Sequence, residues 1–250
     1  MAITGAGGRV GELTVGALTG RYRLRLIDLD WPANGDDDAA DGGAEKLSCD
    51  LRDPDACAAA VESVDILIHL AAQPSPEIGV REAVEDVAMP TANLVAAATT
   101  STVKRVVFAS SIHTMGLYDR RRQFPIDPAW PARPCCEYGS AKVLSENLLG
   151  LLAERSGISI VCLRLGLTGA LPTTPHAASQ WLGSNDYARL LHATLVAPVS
   201  YGAYFGVSVA AANRWDLSNG RTDLGYVAEE LPPVPTQPDA ESPSGHCLMV

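Results

Sequence analysis

The stretch Thr4-Gly5-Ala6-Gly7-Gly8-Arg9-Val10-Gly11 decides the fold class of this chain. It follows the short apolar run Met1-Ala2-Ile3 and opens an amphipathic segment that ends near Thr19. Glycines at this spacing allow a tight turn, close approach of the backbone to a pyrophosphate, and close packing of a helix on a strand. The free amides at the start of the helix then face the phosphates. The stretch therefore predicts the first strand-to-helix turn of a dinucleotide-binding fold.

The next predicted strand, Arg23–Asp28, alternates polar and apolar residues and ends in a carboxylate. Asp28 lies 17 residues after Gly11, near the place where such folds put the acid that binds the adenosine ribose hydroxyls. A carboxylate at this place repels a 2′-phosphate, so the sequence favours NAD over NADP. The first strand has only three residues before Thr4, which is short against the usual ~5–6.

Apolar runs typical of strands alternate with helical segments along the rest of the first two thirds of the chain. The runs lie at 46–49, 65–72, 104–109 and 158–165, and the helical segments end at 61, 100 and 155. Pro90 is expected to kink or divide the second of these helices. This alternation predicts an α/β fold with a doubly wound parallel Rossmann sheet that carries helices on both faces.

Changes in composition divide the chain into three regions. Residues 1–166 form the predicted Rossmann domain, and 167–230 form a small carboxyl-terminal region that is expected to cover the substrate. Residues 231–250 contain five prolines and are expected to be disordered. The acidic, glycine-rich stretch 31–45 reads as a solvated loop.

A predicted catalytic group lies between residues 106 and 142. The strand Val106–Ala109 runs into Ser110 and Ser111, so these serines lie at the carboxyl end of a parallel strand, where ligands bind in such sheets. Tyr138 and Lys142 are four residues apart, which places both on one face of a helix. A lysine cation favours the phenolate of a tyrosine, and a serine can hydrogen-bond the substrate oxygen. The alternative interpretation is an ordinary solvated helix face.

Composition excludes several functional classes. The chain has 250 residues, of which 47% are hydrophobic and 19% are charged, as in a soluble globular protein. A net charge of −10 argues against nucleic acid and anionic membranes as partners. No apolar run approaches the ~18 residues of a membrane span, so we expect a cytoplasmic location.

The six cysteines show no metal-ligand spacing. Cys135 and Cys136 are adjacent and the other four are scattered. In a cytosolic context they read as reduced thiols. The sequence therefore predicts no metal site.

The motifs, in this order, resemble the extended short-chain dehydrogenase/reductase family, in its branch of NAD-dependent epimerases and dehydratases. The resemblance is carried by TGAGGRVG, the strand-end Asp28, Cys49-Asp50-Leu51, HLAA at 69–72, Ser111, and YGSAK at 138–142. The stretch 108–116 is similar to FASSNHTIG of uronate dehydrogenases, and this second resemblance extends to about residue 226. It implies oxidation of a cyclic sugar acid at its anomeric carbon to an aldonolactone, with hydride passing to NAD⁺.

The resemblance also implies residue roles. Tyr138 would be the general base, Lys142 would lower its pKa and hold the nicotinamide ribose, and Ser111 would orient the substrate hydroxyl. The implied NAD contacts are Gly5, Gly8, Arg9, Val10, Gly11, Asp28, Asp50, Leu51, Leu70, Ala71, Ala72, Tyr138 and Lys142. The implied substrate contacts are Ser75, Ser111, Ile112, His113 and His176.

Four positions depart from the uronate dehydrogenase pattern, one of them Val87, where the family commonly has an asparagine. The asparagine after the catalytic serine is Ile112, which removes an amide from the pocket. The arginine that the family uses on the substrate carboxylate falls on His176, which binds a carboxylate only when protonated and lacks a bidentate fork. Ser75 takes the family's serine position only if one residue is inserted.

Two further functions stay open at the level of sequence. A nucleotide-sugar epimerase or dehydratase would reduce and reoxidise a retained NAD, although the chain has Ser111-Ile112-His113 and no acid where dehydratases carry one. A non-catalytic NAD-binding protein would tend to lack the tyrosine or the lysine, and both are present. Dimers are common in the family, so by analogy a homo-oligomer is a further expectation.

Overall fold

The computed structural model describes residues 1–31, 42–239 and 247. Most of the loop predicted at 31–45 lies outside the described residues. The same holds for residues 240–246 and 248–250 of the tail predicted to be disordered. The described part of that tail, residues 231–239 and Cys247, contains no helix or strand.

Seven strands form one parallel sheet, which confirms the predicted Rossmann architecture. The described residues contain nine strands in all, which are β1 (Ala2–Thr4), β2 (Arg25–Asp28), β3 (Glu45–Ser48), β4 (Ile66–His69), β5 (Arg105–Ser111), β6 (Ser159–Leu165), β7 (Leu167–Thr168), β8 (Trp181–Leu182) and β9 (Tyr201–Gly206). Their order in the sheet is β3-β2-β1-β4-β5-β6-β9, while β7 and β8 pair separately. Although β1 has only three residues, all three are buried and it pairs with a parallel strand on each side.

Eight α-helices flank the sheet in the described part of the chain. They are α1 (Arg9–Leu18), α2 (Pro54–Val61), α3 (Val80–Ala83), α4 (Met89–Thr99), α5 (Gly116–Arg120), α6 (Glu137–Ser156), α7 (Pro175–Ala178) and α8 (Ser184–Val196). A π-helical turn, Val84–Ala88, joins α3 to α4 directly before Pro90. Because proline has no N–H to donate, the predicted irregularity appears there as a widened turn.

Alternating strand residues build two cores on opposite faces of the sheet. Ile3 and Leu26 belong to the core that α1 and α8 cover. Their neighbours Ala2 and Ile27 belong to the core that α2, α4 and α6 cover. The near-continuous apolar strands of the sequence are thus buried on both sides, as expected for a parallel sheet.

Residues 167–230 are partly continuous with the Rossmann sheet, which differs from the predicted boundary at 166. Strand β9 lies in this region and pairs in parallel with β6 as the seventh strand. Helix α8 precedes it and shares a core with α1. The difference arises because the α8–β9 unit buries its apolar face on the main sheet. That the remainder of the region covers substrate stays a prediction.

None of the helices in the described residues is long and apolar enough to cross a membrane.

Candidate active site

A cleft of about 500 Å³ opens at the carboxyl ends of the central strands. The glycine-rich turn after β1 lines one side of it, through Gly5, Gly8, Arg9, Val10 and Gly11. The ends of β4 and β5 and the first turns of α6 line the other side. Most residues for which the sequence predicts a cofactor or catalytic role therefore share one cavity.

The glycine-rich turn packs directly on its neighbours. Gly5 has a φ of +69°, and a Cβ built on it would lie 2.7 Å from the backbone nitrogen of Ala71. A Cβ on Gly11 would lie 2.3 Å from the carbonyl oxygen of Gly5. Side chains at either position would displace the backbone, so the close turn predicted from the sequence is present. Such a turn leaves the amides at the start of α1 accessible to phosphate.

Asp28 holds its carboxylate at the edge of this cleft. Its Oδ2 accepts a 2.8 Å hydrogen bond from the backbone nitrogen of Gly7, and its Oδ1 accepts one of 2.8 Å from that of Leu29. The backbone of the turn thus orients the acid at the end of β2. This placement fits the predicted contact with ribose hydroxyls.

A second cleft of about 320 Å³ adjoins the first. Asp50 and Leu51, the predicted adenine contacts, line it, and Ala71 and Ala72 line both clefts. A hydrogen bond from Arg52 holds the pKa of Asp50 below its usual value. Two clefts that meet at small residues, with the glycine turn in one of them, fit an extended dinucleotide.

Ser111 and Tyr138 meet inside the first cleft. Ser111 ends β5 and Tyr138 lies in the first turn of α6, and both residues line the cleft. The ring of His113 lies edge-on to Tyr138, with centroids 5.9 Å apart. Burial raises the pKa of Tyr138, and the nearby hydroxyl of Ser111 opposes this rise. The pair is therefore placed to share a proton with a substrate oxygen.

Lys142 lies one turn further along α6, as the four-residue spacing predicts. Its Nζ lies 5.6 Å from the centre of the Tyr138 ring. Burial disfavours the cation of Lys142 and lowers its pKa to about 7. That Lys142 lowers the pKa of Tyr138 therefore stays a prediction.

A buried ion pair below Lys142 was not predicted from the sequence. The guanidinium of Arg164 donates to both carboxylate oxygens of Glu146, at 3.0 and 2.8 Å, and Ser110 donates to Glu146 at 2.5 Å. The charge of Glu146 opposes the effect of burial on the pKa of Lys142. A signal was available, because Glu146 lies four residues after Lys142 and hence on the same helix face.

The predicted substrate residues separate into two groups. Ser111, Ile112 and His113 line the first cleft, whereas Ser75 and His176 do not. The hydroxyl of Ser75 instead accepts a 3.2 Å hydrogen bond from the backbone nitrogen of Glu77 within its own turn. Substrate contact by Ser75 stays a prediction that this placement does not support.

His176 packs beside Arg214 instead of lining the cleft. One ring nitrogen lies 3.3 Å from the guanidinium of Arg214, and the other lies 2.7 Å from the amide nitrogen of Gln180. Burial, and then the charge of Arg214, lower the pKa of His176. A neutral imidazole gives no charge to a substrate carboxylate. Gln180, which the sequence did not single out, lines the cleft.

The cysteines are less scattered than their spacing predicts. The thiols of Cys135, Cys136 and Cys247 lie within 4.8 Å of one another and of a ring nitrogen of His113. Cys247, one of the cysteines scattered along the sequence, therefore lies beside the adjacent pair in the folded chain, while the absence of a metal site stays a prediction. Spacing along the sequence did not indicate this cluster because 134 positions separate His113 from Cys247, and only the folded chain brings them together.

Comparisons with known proteins agree with this geometry. The model of the NAD dependent epimerase/dehydratase family matches residues 1–171. A uronate dehydrogenase from Pseudomonas putida is 31% identical over 236 residues, which cover 92% of this chain and 84% of the relative. An NAD-dependent glucose-6-phosphate dehydrogenase from Haloferax volcanii is 29% identical and covers 90% of each chain.

A solved structure of a related enzyme also resembles this chain. A mutant uronate dehydrogenase from Agrobacterium tumefaciens, complexed with NAD, superimposes with a TM-score of 0.82 at 29% identity, over 92% of this chain and 84% of that one. The predicted fold, the class of NAD-dependent oxidoreductase and the NAD cofactor are confirmed. With a family model that matches more than half of its length, the chain belongs to the NAD-dependent epimerase/dehydratase family.

Proposed function

We propose that this protein oxidises a cyclic sugar acid at its anomeric carbon to an aldonolactone, with NAD⁺ as the oxidant. The observation that carries the proposal is the single cleft that holds the glycine turn, Asp28, and the group of Ser111, Tyr138 and Lys142. The uronate dehydrogenase relatives cover more than four fifths of this chain and support the same reaction.

In this proposal the glycine turn and the start of α1 hold the pyrophosphate, Asp28 holds the adenosine ribose, and Asp50 and Leu51 border the adenine. When bound, NAD⁺ supplies the hydride acceptor and a positive charge beside the catalytic group. Lys142, which lines the same cleft, would hold the nicotinamide ribose.

The chain's own residues handle the proton. Ser111 hydrogen-bonds the anomeric hydroxyl of the substrate and aligns it with Tyr138. The phenolate of Tyr138 takes the hydroxyl proton as the anomeric carbon loses hydride, so that the C–O bond becomes the lactone carbonyl. Since burial disfavours the phenolate, a positive charge from Lys142 and the oxidised cofactor is needed at this step.

A second candidate substrate is a sugar that carries no carboxylate, such as the sugar phosphate named for the Haloferax volcanii relative. The observation that favours it is the state of His176, which lies off the cleft wall with a lowered pKa. Ile112 adds an apolar surface where the uronate dehydrogenase pattern has an amide. Both features weaken the case for recognition of a carboxylate at this end of the cleft.

The test is NADH production by the purified protein with NAD⁺ and glucuronate, galacturonate, glucose 6-phosphate or glucose. We expect turnover of a uronate, and we expect Tyr138→Phe to abolish it. Tyr118→Phe is the matched control because Tyr118 donates to the backbone of Pro131, outside the cleft, and should retain turnover.

Three outcomes separate the alternatives. Turnover of glucose 6-phosphate alone would support an oxidoreductase whose substrate is a sugar phosphate and not a uronate. Tightly retained NAD without net NADH would favour an epimerase or dehydratase. NAD binding with no turnover of any sugar, and no effect of Tyr138→Phe on any activity, would favour the non-catalytic protein.

Two further parts of the proposal concern the protein as a whole. We propose a cytoplasmic enzyme with a small-molecule substrate, and a homo-oligomer by analogy with the family. Light scattering on the purified chain measures the assembly, and fractionation of the source cells measures the location.

A further inference from the structure

We propose that His113, Cys135, Cys136 and Cys247 form a zinc site of three thiolates and one imidazole. The four side chains each offer one ligand atom, and these atoms all lie within 4.8 Å of one another. Zinc prefers this combination of soft sulfur and imidazole nitrogen, and four protein ligands are typical of a structural site.

Four of the six separations between the ligand atoms are close to the edges of a tetrahedron around one ion. The Nδ1 atom of His113 lies 3.3 Å from the sulfur of Cys135, 3.6 Å from that of Cys136 and 3.4 Å from that of Cys247. The sulfurs of Cys135 and Cys247 are 3.6 Å apart. Zinc–sulfur bonds of ~2.3 Å and zinc–nitrogen bonds of ~2.0–2.1 Å give sulfur–sulfur edges of about 3.8 Å and sulfur–nitrogen edges of about 3.6 Å.

Three of the ligands lie on a rigid part of the fold. His113 belongs to the 3₁₀ turn Ile112–Met115 that follows β5, and Cys136 is the N-cap of α6. The backbone nitrogen of Cys135 donates a 3.2 Å hydrogen bond to the carbonyl oxygen of His113. A Cβ on Gly139 would lie 2.5 Å from that same oxygen, so α6 packs against the turn without a gap.

The fourth ligand comes from the far end of the chain. Cys247 lies 134 positions after His113, and the site would attach this end of the chain beside the catalytic cleft. With Nδ1 on zinc, the remaining proton of the imidazole resides on Nε2, so the ion would also fix the tautomer of a residue that lines the cleft.

A disulfide accounts for the cluster less well. A bond between Cys135 and Cys247 requires sulfurs about 2.05 Å apart and leaves the third thiol and the imidazole without a role. Here all three sulfurs lie within 3.6 Å of one ring nitrogen, as they would if the four atoms bound the same ion. Zinc binding replaces up to three thiol protons and involves no change of oxidation state.

Metal content of the full-length, untagged protein is the direct test. We expect about one zinc ion per chain by mass spectrometry of the purified protein. Cys247→Ser should lose most of this zinc, because one of its four ligands is removed. Cys57→Ser is the matched control: Cys57 is buried elsewhere and donates to the carbonyl oxygen of Leu51, which a serine can also do.

Cobalt gives an independent readout that does not depend on enzymatic activity. Co²⁺ added to the zinc-depleted chain should give intense visible bands of a tetrahedral ion and a thiolate-to-cobalt charge-transfer band. The charge-transfer band should weaken in Cys247→Ser, and the visible bands should shift in His113→Ala, while circular dichroism shows that both variants are folded.

Two results would overturn the proposal. One is a wild-type chain that carries no zinc and gives no cobalt spectrum under reducing conditions. The other is a Cys247→Ser variant that holds as much zinc as the wild-type chain. In the first case, peptide mapping of the freshly purified protein would show whether a Cys135–Cys247 disulfide takes the place of the metal site.

Discussion

The Nζ atom of Lys142 donates a 2.7 Å hydrogen bond to the carbonyl oxygen of Ala109, which ties α6 to the end of β5. Lys142→Met removes this bond and the cation beside Tyr138. We expect kcat to fall about 100-fold or more, the usual range when a proton-transfer group is lost. Lys104→Met is the matched control because Lys104 is exposed and far from the cleft. Equal kcat values in the two variants would show that Lys142 takes no part in the reaction.

Asp28 sets the predicted preference for NAD. Asp28→Ala should raise the KM for NAD⁺. It should also lower the ratio of activity with NAD⁺ to activity with NADP⁺, because the carboxylate that repels a 2′-phosphate is gone. Asp30→Ala makes the same charge change two residues later, at an exposed position, and should alter neither value much. An unchanged preference in Asp28→Ala would show that another residue discriminates between the cofactors.

Gly11 and Gly16 give a matched pair on one helix. A Cβ on Gly11 would lie 2.3 Å from the carbonyl oxygen of Gly5, whereas a Cβ on Gly16 meets nothing within 4 Å. Gly11→Ala should therefore lower the melting temperature and weaken NAD binding, measured by calorimetry. Gly16→Ala should stabilise the protein by up to ~1 kcal/mol because alanine favours a helix. If both variants bind NAD normally, the turn is not the pyrophosphate site.

Loss of the buried ion pair between Glu146 and Arg164 should lower the free energy of unfolding more than loss of an exposed ion pair. Each side chain is only 6% exposed, so Arg164→Met leaves a buried carboxylate without its partner and should cost about 3–5 kcal/mol in urea unfolding. The double variant Glu146→Gln/Arg164→Met should lose less than the sum of the two single variants. Arg81→Met, in the exposed pair with Glu85, should cost ~1 kcal/mol or less.

His69 makes stability depend on pH. It is buried between the hydroxyls of Thr4 and Thr91, at 2.8 and 3.1 Å, and burial lowers its pKa from 6.5 to about 3. Between these pH values the unfolded chain binds a proton that the folded chain does not, so stability falls as the pH falls through this window. Relative to pH 7, the loss from this residue should be about 2–3 kcal/mol at pH 4.5.

The matching measurement is urea unfolding at pH 7 and pH 4.5. His69→Gln keeps an uncharged polar group at the site, and its stability should depend less on pH than that of the wild-type chain. His192→Gln, on α8, controls for the loss of a histidine. If all three proteins show the same pH dependence, His69 does not titrate in the unfolding transition.

Much of the dinucleotide half follows from local sequence. Gly11 must be small because it lies in the first turn of α1, directly against the turn that follows β1, and that requirement is visible in a run of eight residues. Asp28 ends an alternating strand, and a parallel sheet brings strand ends to one edge. The four-residue spacing of Tyr138 and Lys142 alone sets their shared helix face. These properties depend on neighbours along the chain, so the sequence by itself determined them.

Contacts between distant segments were decided only by the tertiary structure. Strand β9 joins the main sheet because α8 finds an apolar surface beside α1, and no local pattern near residue 201 specifies that partner. His176 packs beside Arg214, 38 positions away, so its charge state could not be read from its alignment with an arginine. Cys247 reaches His113 across 134 positions, where spacing rules for metal ligands no longer apply. Periodicity and backbone geometry act over a few residues, whereas burial and side-chain packing select partners through space.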